Sequence, residues 1–376
     1  MRFGIDGYPL VFPKTGIGHY TFELATELAR IAPQHSFELV APDQYPKGIV
    51  DQLGPIPNLV ATSIETNLIT RRWWAVGLPR YLRRARFDLF HGTNYDVPLG
   101  NRERNVLTVH DLSIFTHRDT HEKRIARRAR RRFPIMLRAA ARIITPTESV
   151  KRAVVERFKI DPEMVAVTPE APRTTFRPIR FEETLETRSR LRIEGDFILF
   201  VGTIEPRKNL LALMRAFDQI LRQTSHRPQL ALAGGQGWLT GELDRFLAQA
   251  QFGDRLRMIG YADDDDLRAL YSSCTAFVYP SLDEGFGLPP LEAMACGAPV
   301  IASRLDAHVE TLGGNAKLME PTDETALAQA IVDLLENQTE RERLAIAGVA
   351  HAAKFSWEKT ARLTLGVYEE LLATEG

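Results

Sequence analysis

A chain of 376 residues with 44% hydrophobic and 26% charged residues is long enough for two domains and too apolar to be disordered. The start, MRFGIDGYPLVF, has too short an apolar run for a signal peptide, and no stretch nears the roughly 20 apolar residues of a spanning helix. Two cysteines, Cys274 and Cys296, make no disulfide framework and no metal-ligand spacing, so the expected setting is reducing and cytoplasmic. The net charge of zero hides an asymmetry: residues 1–180 hold 29 Lys+Arg against 18 Asp+Glu, or +11, and the remainder carries −11. A basic half attracts the phosphates of lipids, nucleotides or nucleic acids.

Taken in order, RFGIDG reads as a strand, followed by the loop FPKTGIG and an amphipathic helix with Phe22, Ala25, Leu28 and Ala29 on one side. FELVAP, NLVATS, FDLFHG, NVLTVHD and ARIITPT follow as short apolar strands with turns or helices between them. That pattern predicts a parallel sheet covered on both faces. The polar stretch 171–195 reads as an interdomain linker, within which EETLETRSRL has helical character. Strands and helices then alternate again from FILFVG to PVIAS, predicting a second doubly wound α/β domain. Ser356 is placed to cap a final helix. The expected division is 1–180, 181–355 and a C-terminal helix 356–376. Ligands of doubly wound sheets bind at the carboxyl ends of the strands, so chemistry is sought there.

Each motif has two readings. Thr15-Gly16-Ile17-Gly18 is either a tight turn or a loop letting backbone and helix N-terminus approach a phosphate. The dinucleotide fingerprint G-x-G-x-x-G is broken at Thr21, which disfavours an NAD-dependent oxidoreductase. His110, at the end of NVLTVH, is either a satisfied structural histidine or a group facing a hydroxyl or developing charge. Arg207 and Lys208, directly after FILFVGT, form either a solvated charge pair or a diphosphate cradle. Glu284 and Glu292 in EGFGLPPLE are either loop acids or acceptors for vicinal hydroxyls. Asp263 to Asp266 read as a helix cap with first-turn charges rather than a metal site. The basic stretches 71–86, with paired tryptophans, and 122–143, with nine Lys/Arg, are either packed helices with solvated faces or surfaces for anionic membrane. In the second, Ile125, Ala129, Phe133, Met136 and Ala140 form the expected apolar stripe, which Pro134 divides.

Assembled, FVGTIEPRKNL and YPSLDEGFGLPPLEAMACGAPVIAS, with TGIG, VHDLS and SWEKTA in order, resemble retaining glycosyltransferases of family 4. The resemblance runs nearly end to end and implies a GT-B fold, two Rossmann-like domains facing a cleft. It implies that Glu292 holds the ribose of a nucleotide-diphosphate sugar and that Glu284 contacts the sugar. Backbone N–H groups of Gly285, Phe286, Gly287 and Leu288 would lie against sugar and phosphates. Arg207 and Lys208 would neutralise the leaving diphosphate without a metal or other cofactor. Gly16 and Gly18 would let the first domain close on the donor, and His110 would touch the sugar. The implied donor is GDP-mannose, with a UDP-hexose as the nearest rival and a catalytically silent nucleotide-sugar-binding module as a third reading. The implied acceptor is a saccharide or lipid-diphosphate-linked saccharide of surface polysaccharide assembly, met through peripheral membrane contact and not through nucleic acid. One departure is RLDAHVETLGG after PVIAS, where the family often has a serine- and proline-containing segment.

Overall fold

The computed structural model describes residues 1–376 except 13–15, 69, 101, 239–240, 251 and 374–376. The chain divides into two compact units: Met1–Leu112, Arg127–Glu170 and Ser356–Gly376 form the first, Ser113–Ala126 and Ala171–Phe355 the second.

Among the described residues the first unit holds a seven-stranded sheet: β1 (Arg2–Asp6), β2 (Ser36–Ala41), β3 (Leu59–Ser63), β4 (Leu89–Gly92), β5 (Asn105–Thr108), β6 (Arg142–Thr145) and β7 (Val165–Val167), in the order β3-β2-β1-β4-β5-β6-β7. Every pairing is parallel, with Phe3 opposite Phe37 and Ile5 opposite both Leu39 and His91. Phe3, Ile5, Phe37, Leu39, Leu89 and Val106 are buried, as strands covered on both faces must be. The helix Gly16–Ile31 buries Leu24, Ala25, Leu28 and Ala29. The final helix, Trp357–Ala373, belongs to this unit: Tyr368 and His91 share a hydrogen bond of 2.6 Å, and Thr360 donates to the carbonyl of Pro169. Ser356 caps it by accepting from the Lys359 N–H at 3.2 Å.

Among the described residues the second unit holds a six-stranded parallel sheet of β8 (Phe197–Val201), β9 (Gln229–Ala233), β10 (Leu256–Gly260), β11 (Ala276–Tyr279), β12 (Val300–Ser303) and β13 (Lys317–Met319), ordered β10-β9-β8-β11-β12-β13. The supposed linker is largely part of this unit. Helix Phe181–Arg190 lies within it, and Arg188 is buried with its Nη2 donating to the Gly195 carbonyl at 2.6 Å.

Both basic stretches differ from expectation in detail. Helix Lys123–Arg138 runs unbroken through Pro134, because proline removes one backbone donor without forcing this helix to end. Its buried residues are Ala126, Phe133, Met136 and Leu137, followed by Ala140, whereas Ile125 is 62% exposed. The tryptophans are not surface anchors: Trp73 is buried with Val40, Leu78, Leu82, Phe87 and Phe90, and Trp74 packs against that cluster. Arg71, Arg72, Arg80, Arg83, Arg84 and Arg86 are exposed.

Candidate active site

The second unit assembles its chemistry from the loops after β8 and β11. Glu205 is extended, Pro206–Lys208 makes one 3-10 turn, and Asn209 stops it in the left-handed region at φ +55°. Asparagine tolerates that conformation better than most side chains. Its Nδ2 donates to the carbonyls of Pro280 (3.1 Å) and Pro321 (2.8 Å), and the Leu282 N–H donates to the Arg207 carbonyl at 2.8 Å. Two strand-end loops are thereby tied together.

Between them lies a cluster of alternating charge. Lys208 Nζ donates to Glu284 Oε1 and to the Tyr279 hydroxyl, each at 2.6 Å. Arg207 donates through Nη2 to Glu205 Oε1 and through Nη1 to the Asp283 carbonyl, each at 2.8 Å, and Nη1 lies 3.2 Å from Glu284 Oε2. All four charged side chains are at most 14% exposed, so these pairs act with little solvent screening. Burial pushes the Glu284 carboxyl up, but Lys208 and Arg207 outweigh it and hold the group well below the usual carboxylate range. Lys208 is pulled down by burial and by the like charge of Arg207, against the attraction of Glu284.

The turn after Glu284 reaches Gly287 at φ +89°, and helix Leu288–Ala295 begins there with prolines in its first turn. The Phe286 side chain is core, meeting the Phe355 ring at 5.9 Å, while its carbonyl accepts from the Thr311 hydroxyl at 2.8 Å. Only the backbone of Phe286 is thus placed to serve a ligand. Glu292 is buried, and Arg173 grips it bidentately, Nε to Oε1 at 2.8 Å and Nη2 to Oε2 at 3.1 Å. Arg173 also pairs with Asp264 and stacks over the Phe176 ring at 4.2 Å. Glu292 is therefore a held carboxylate, fixed in place by Arg173. Asp263 caps its helix by accepting from the Asp266 N–H at 2.9 Å, and Asp266 pairs with Arg190.

In the first unit, His110 follows β5. Its Nε2 donates to the Thr93 carbonyl at 2.8 Å, and its Nδ1 shares a hydrogen bond with Glu170 Oε1 at 3.0 Å. The Thr93 carbonyl can only accept, so Nε2 carries a proton, and Nδ1 shares its hydrogen bond with the Glu170 carboxyl. Burial pushes it down, but the bond to the Glu170 carboxylate and its charge raise it overall. Gly16 opens the first helix with nothing within 4 Å of where a Cβ would stand, and Gly18 is buried in the first turn. Thr15 lies outside the described residues.

The sequence matches the family model for glycosyl transferases group 1 over residues 182–350 and that for Glycosyltransferase Family 4 over residues 14–171. It is 30% identical to O-antigen chain mannosyltransferase B of Escherichia coli, over 96% of this chain and 98% of that protein. The chain belongs to this glycosyltransferase family. A further relative of the enzyme is the O-antigen chain mannosyltransferase RfbU of Salmonella typhimurium, 23% identical over 85% of this chain and 87% of that one. Among solved structures, a glycosyltransferase from Rickettsia africae aligns with TM-score 0.73 at 17% identity, covering 99% and 98% of the two chains. Anabaena Alr3699/HepE, crystallised with UDP and glucose, aligns with TM-score 0.73 at 18% identity, covering 98% and 99%. The two doubly wound parallel sheets are those of the GT-B fold.

Four residues in or beside these clusters went unread in the sequence: Glu205, Arg173, Glu170 and His308, whose ring lies 6.0 Å from that of Tyr279. Glu205 stands inside the TIEPRKN motif, beside the cations it pairs with. Arg173 sits 119 residues from Glu292 and Glu170 60 residues from His110, so no local pattern announces either pair. His308 lies in the departing segment RLDAHVETLGG, where only the departure itself was a signal.

Proposed function

We propose that this glycosyltransferase transfers mannose from GDP-mannose, with retention, onto a saccharide or lipid-diphosphate-linked acceptor in surface polysaccharide assembly. The observation that carries the reading is the buried Arg207–Lys208 pair, set by Glu205 and Glu284 at the carboxyl ends of β8 and β11. The mannosyl donor and the polysaccharide acceptor are supported by the names of the relatives, which are O-antigen mannosyltransferases.

The chemistry follows from charge. The acceptor hydroxyl oxygen attacks the sugar C1 from the leaving-group face as the C1–O bond to the diphosphate breaks. The electron pair goes to the diphosphate oxygen, and the acceptor's proton passes to that diphosphate. Negative charge growing on the leaving group meets two cations already fixed by their neighbours, so little reorganisation is needed; one such preorganised donor contributes about 10²–10³ in rate. Glu284 and Glu292 accept from sugar and ribose hydroxyls, Glu284 as an ionised acid and Glu292 as the carboxylate that Arg173 orients. Backbone amides of Gly285–Leu288 meet the sugar and phosphates. His110, held by Glu170 and the Thr93 carbonyl, stands in the first unit next to the helix opened by Gly16 and Gly18.

The exposed arginines of 71–86, with Arg124, Arg127, Arg128 and Arg131, support peripheral contact with anionic lipid. Among the described residues no helix is long and apolar enough to cross a membrane.

The test is consumption of GDP-mannose, GDP-fucose, UDP-glucose, UDP-galactose and UDP-N-acetylglucosamine, in EDTA, with and without an oligomannose acceptor. GDP-mannose alone should be consumed, yielding an α-linked product, and Glu284→Gln should be inactive. Turnover of a UDP-sugar instead would overturn the donor assignment, and turnover of none would overturn the transferase reading.

A further inference from the structure

His308 is fully buried in helix Asp306–Leu312, and its Nδ1 donates to the Ser303 carbonyl at 2.8 Å. That bond places the single proton of a neutral ring on Nδ1 and leaves Nε2 a bare acceptor. Nε2 is buried and has no hydrogen-bond partner. A buried acceptor without a donor costs about 1–3 kcal/mol, so a fold retains one where something else completes it.

The surroundings say what that is. The Cδ2–Nε2 edge of the ring faces Gly287. A Cβ at residue 287 would stand 2.8 Å from Cδ2 and 2.9 Å from Nε2, so the glycine, at φ +89°, keeps this nitrogen uncapped. The ring lies 6.0 Å from that of Tyr279, the phenol that receives Lys208. Glu284 and Lys208 both act on it electrostatically, and burial holds it below the ordinary histidine range. An acceptor beside a carboxylate selects a neutral hydroxyl donor; a phosphate oxygen, which brings only lone pairs and negative charge, would be repelled.

Resting on the transferase reading above, we propose that His308 is a specificity-determining residue of the donor site, its Nε2 accepting a hydrogen bond from a hydroxyl of the sugar carried by the nucleotide. Glu284 and the Gly285–Leu288 turn flank that hydroxyl. The segment that departs from the family's usual pattern is then the segment that reads the sugar.

The test is calorimetric titration of the full chain and of His308→Leu with GDP, GDP-mannose and the singly deoxygenated GDP-mannose analogues. Leucine keeps an apolar volume and removes the acceptor. His308→Leu should bind GDP as the unaltered chain does and GDP-mannose about tenfold more weakly, the worth of one hydrogen bond to a buried acceptor. One deoxy analogue should bind the unaltered chain about tenfold more weakly than GDP-mannose and be insensitive to His308→Leu. That arm's first half needs no variant, so it stands even if His308→Leu misfolds. Equal loss for GDP and GDP-mannose, or no deoxy analogue that matches the variant, would overturn the proposal while leaving the transferase reading intact. Absence of binding of every nucleotide to the unaltered chain would overturn both.

Discussion

The two units share a doubly wound parallel architecture but use their strand ends differently. In the first, His110 and Glu170 form one closed pair, with both ring nitrogens committed to partners in the same unit. In the second, Arg207 and Lys208 are interleaved with Glu205 and Glu284, and His308 beside them keeps a buried acceptor uncapped. A closed pair positions; a cluster of fixed charges with unused valence binds. Fold alone does not separate these uses, since both sheets have the same parallel construction, and the difference lies in which side chains stand at the strand ends.

The sharpest way to break this contrast is Lys208→Ala. It should lower kcat with GDP-mannose about 10²–10³-fold in steady-state assays. A change under fivefold would mean that the second unit's cluster is structural as well.

On folding rather than rate, the largest effects are expected at the held carboxylates. Arg173→Ala removes the bidentate partner of buried Glu292, and His110→Ala removes the ring bonded to buried Glu170. Each should cost about 3–5 kcal/mol in urea unfolding, the usual result of stranding one partner of a buried pair. If His110→Ala costs much less, the first unit's pair is not a closed one.

Acidity separates two buried groups within the first unit. Burial holds His91 down at about 3, so below pH 6.5 only the unfolded chain takes its proton, and stability is lost as pH falls from 6.5 toward 3. Burial pushes Asp6 up to about 8 from the ordinary aspartate value of 3.8, so the folded chain holds the extra proton, and stability is lost as pH rises from 3.8 through 8. Above pH 6.5 the His91 effect is gone and the Asp6 effect remains, joined by that of His110, whose raised value also makes stability fall as pH rises above 6.5. Thermal melts should therefore fall between pH 6.5 and 8 for the unaltered chain and fall less steeply for Asp6→Asn.

The smallest effect expected on folding, within about 0.5 kcal/mol, is that of reversing Arg124, Arg127, Arg128 and Arg131 to Glu, since these side chains are exposed. The same variant should lose co-sedimentation with phosphatidylglycerol vesicles. Arg132 is left in place because it pairs with Asp96. Unchanged sedimentation would remove membrane contact from the account.

Much of this was legible in the chain itself, and the exceptions have physical reasons. The long apolar strands and their helices announced themselves by periodicity, but β7 and β13 have three residues each, too few to show a period. Arg207, Lys208 and Glu284 stood out because they sit at strand ends inside recognisable loops. Arg173 did not, because a charged residue in a polar stretch looks solvated until its distant partners are known. The tryptophans of 71–86 misled for the opposite reason: aromatic rings beside arginines suggest an interface, yet here Trp73 fills the core while the arginines stay in solvent.

The central claim, that the buried cation pair receives a diphosphate, is tested most directly by titrating GDP and GMP in EDTA against the unaltered chain and Lys208→Ala. The unaltered chain should bind GDP at least about tenfold more tightly than GMP, as a charge-assisted contact to the second phosphate requires, and Lys208→Ala should lose that preference. Equal affinity for GDP and GMP, or a preference that survives Lys208→Ala, would contradict it.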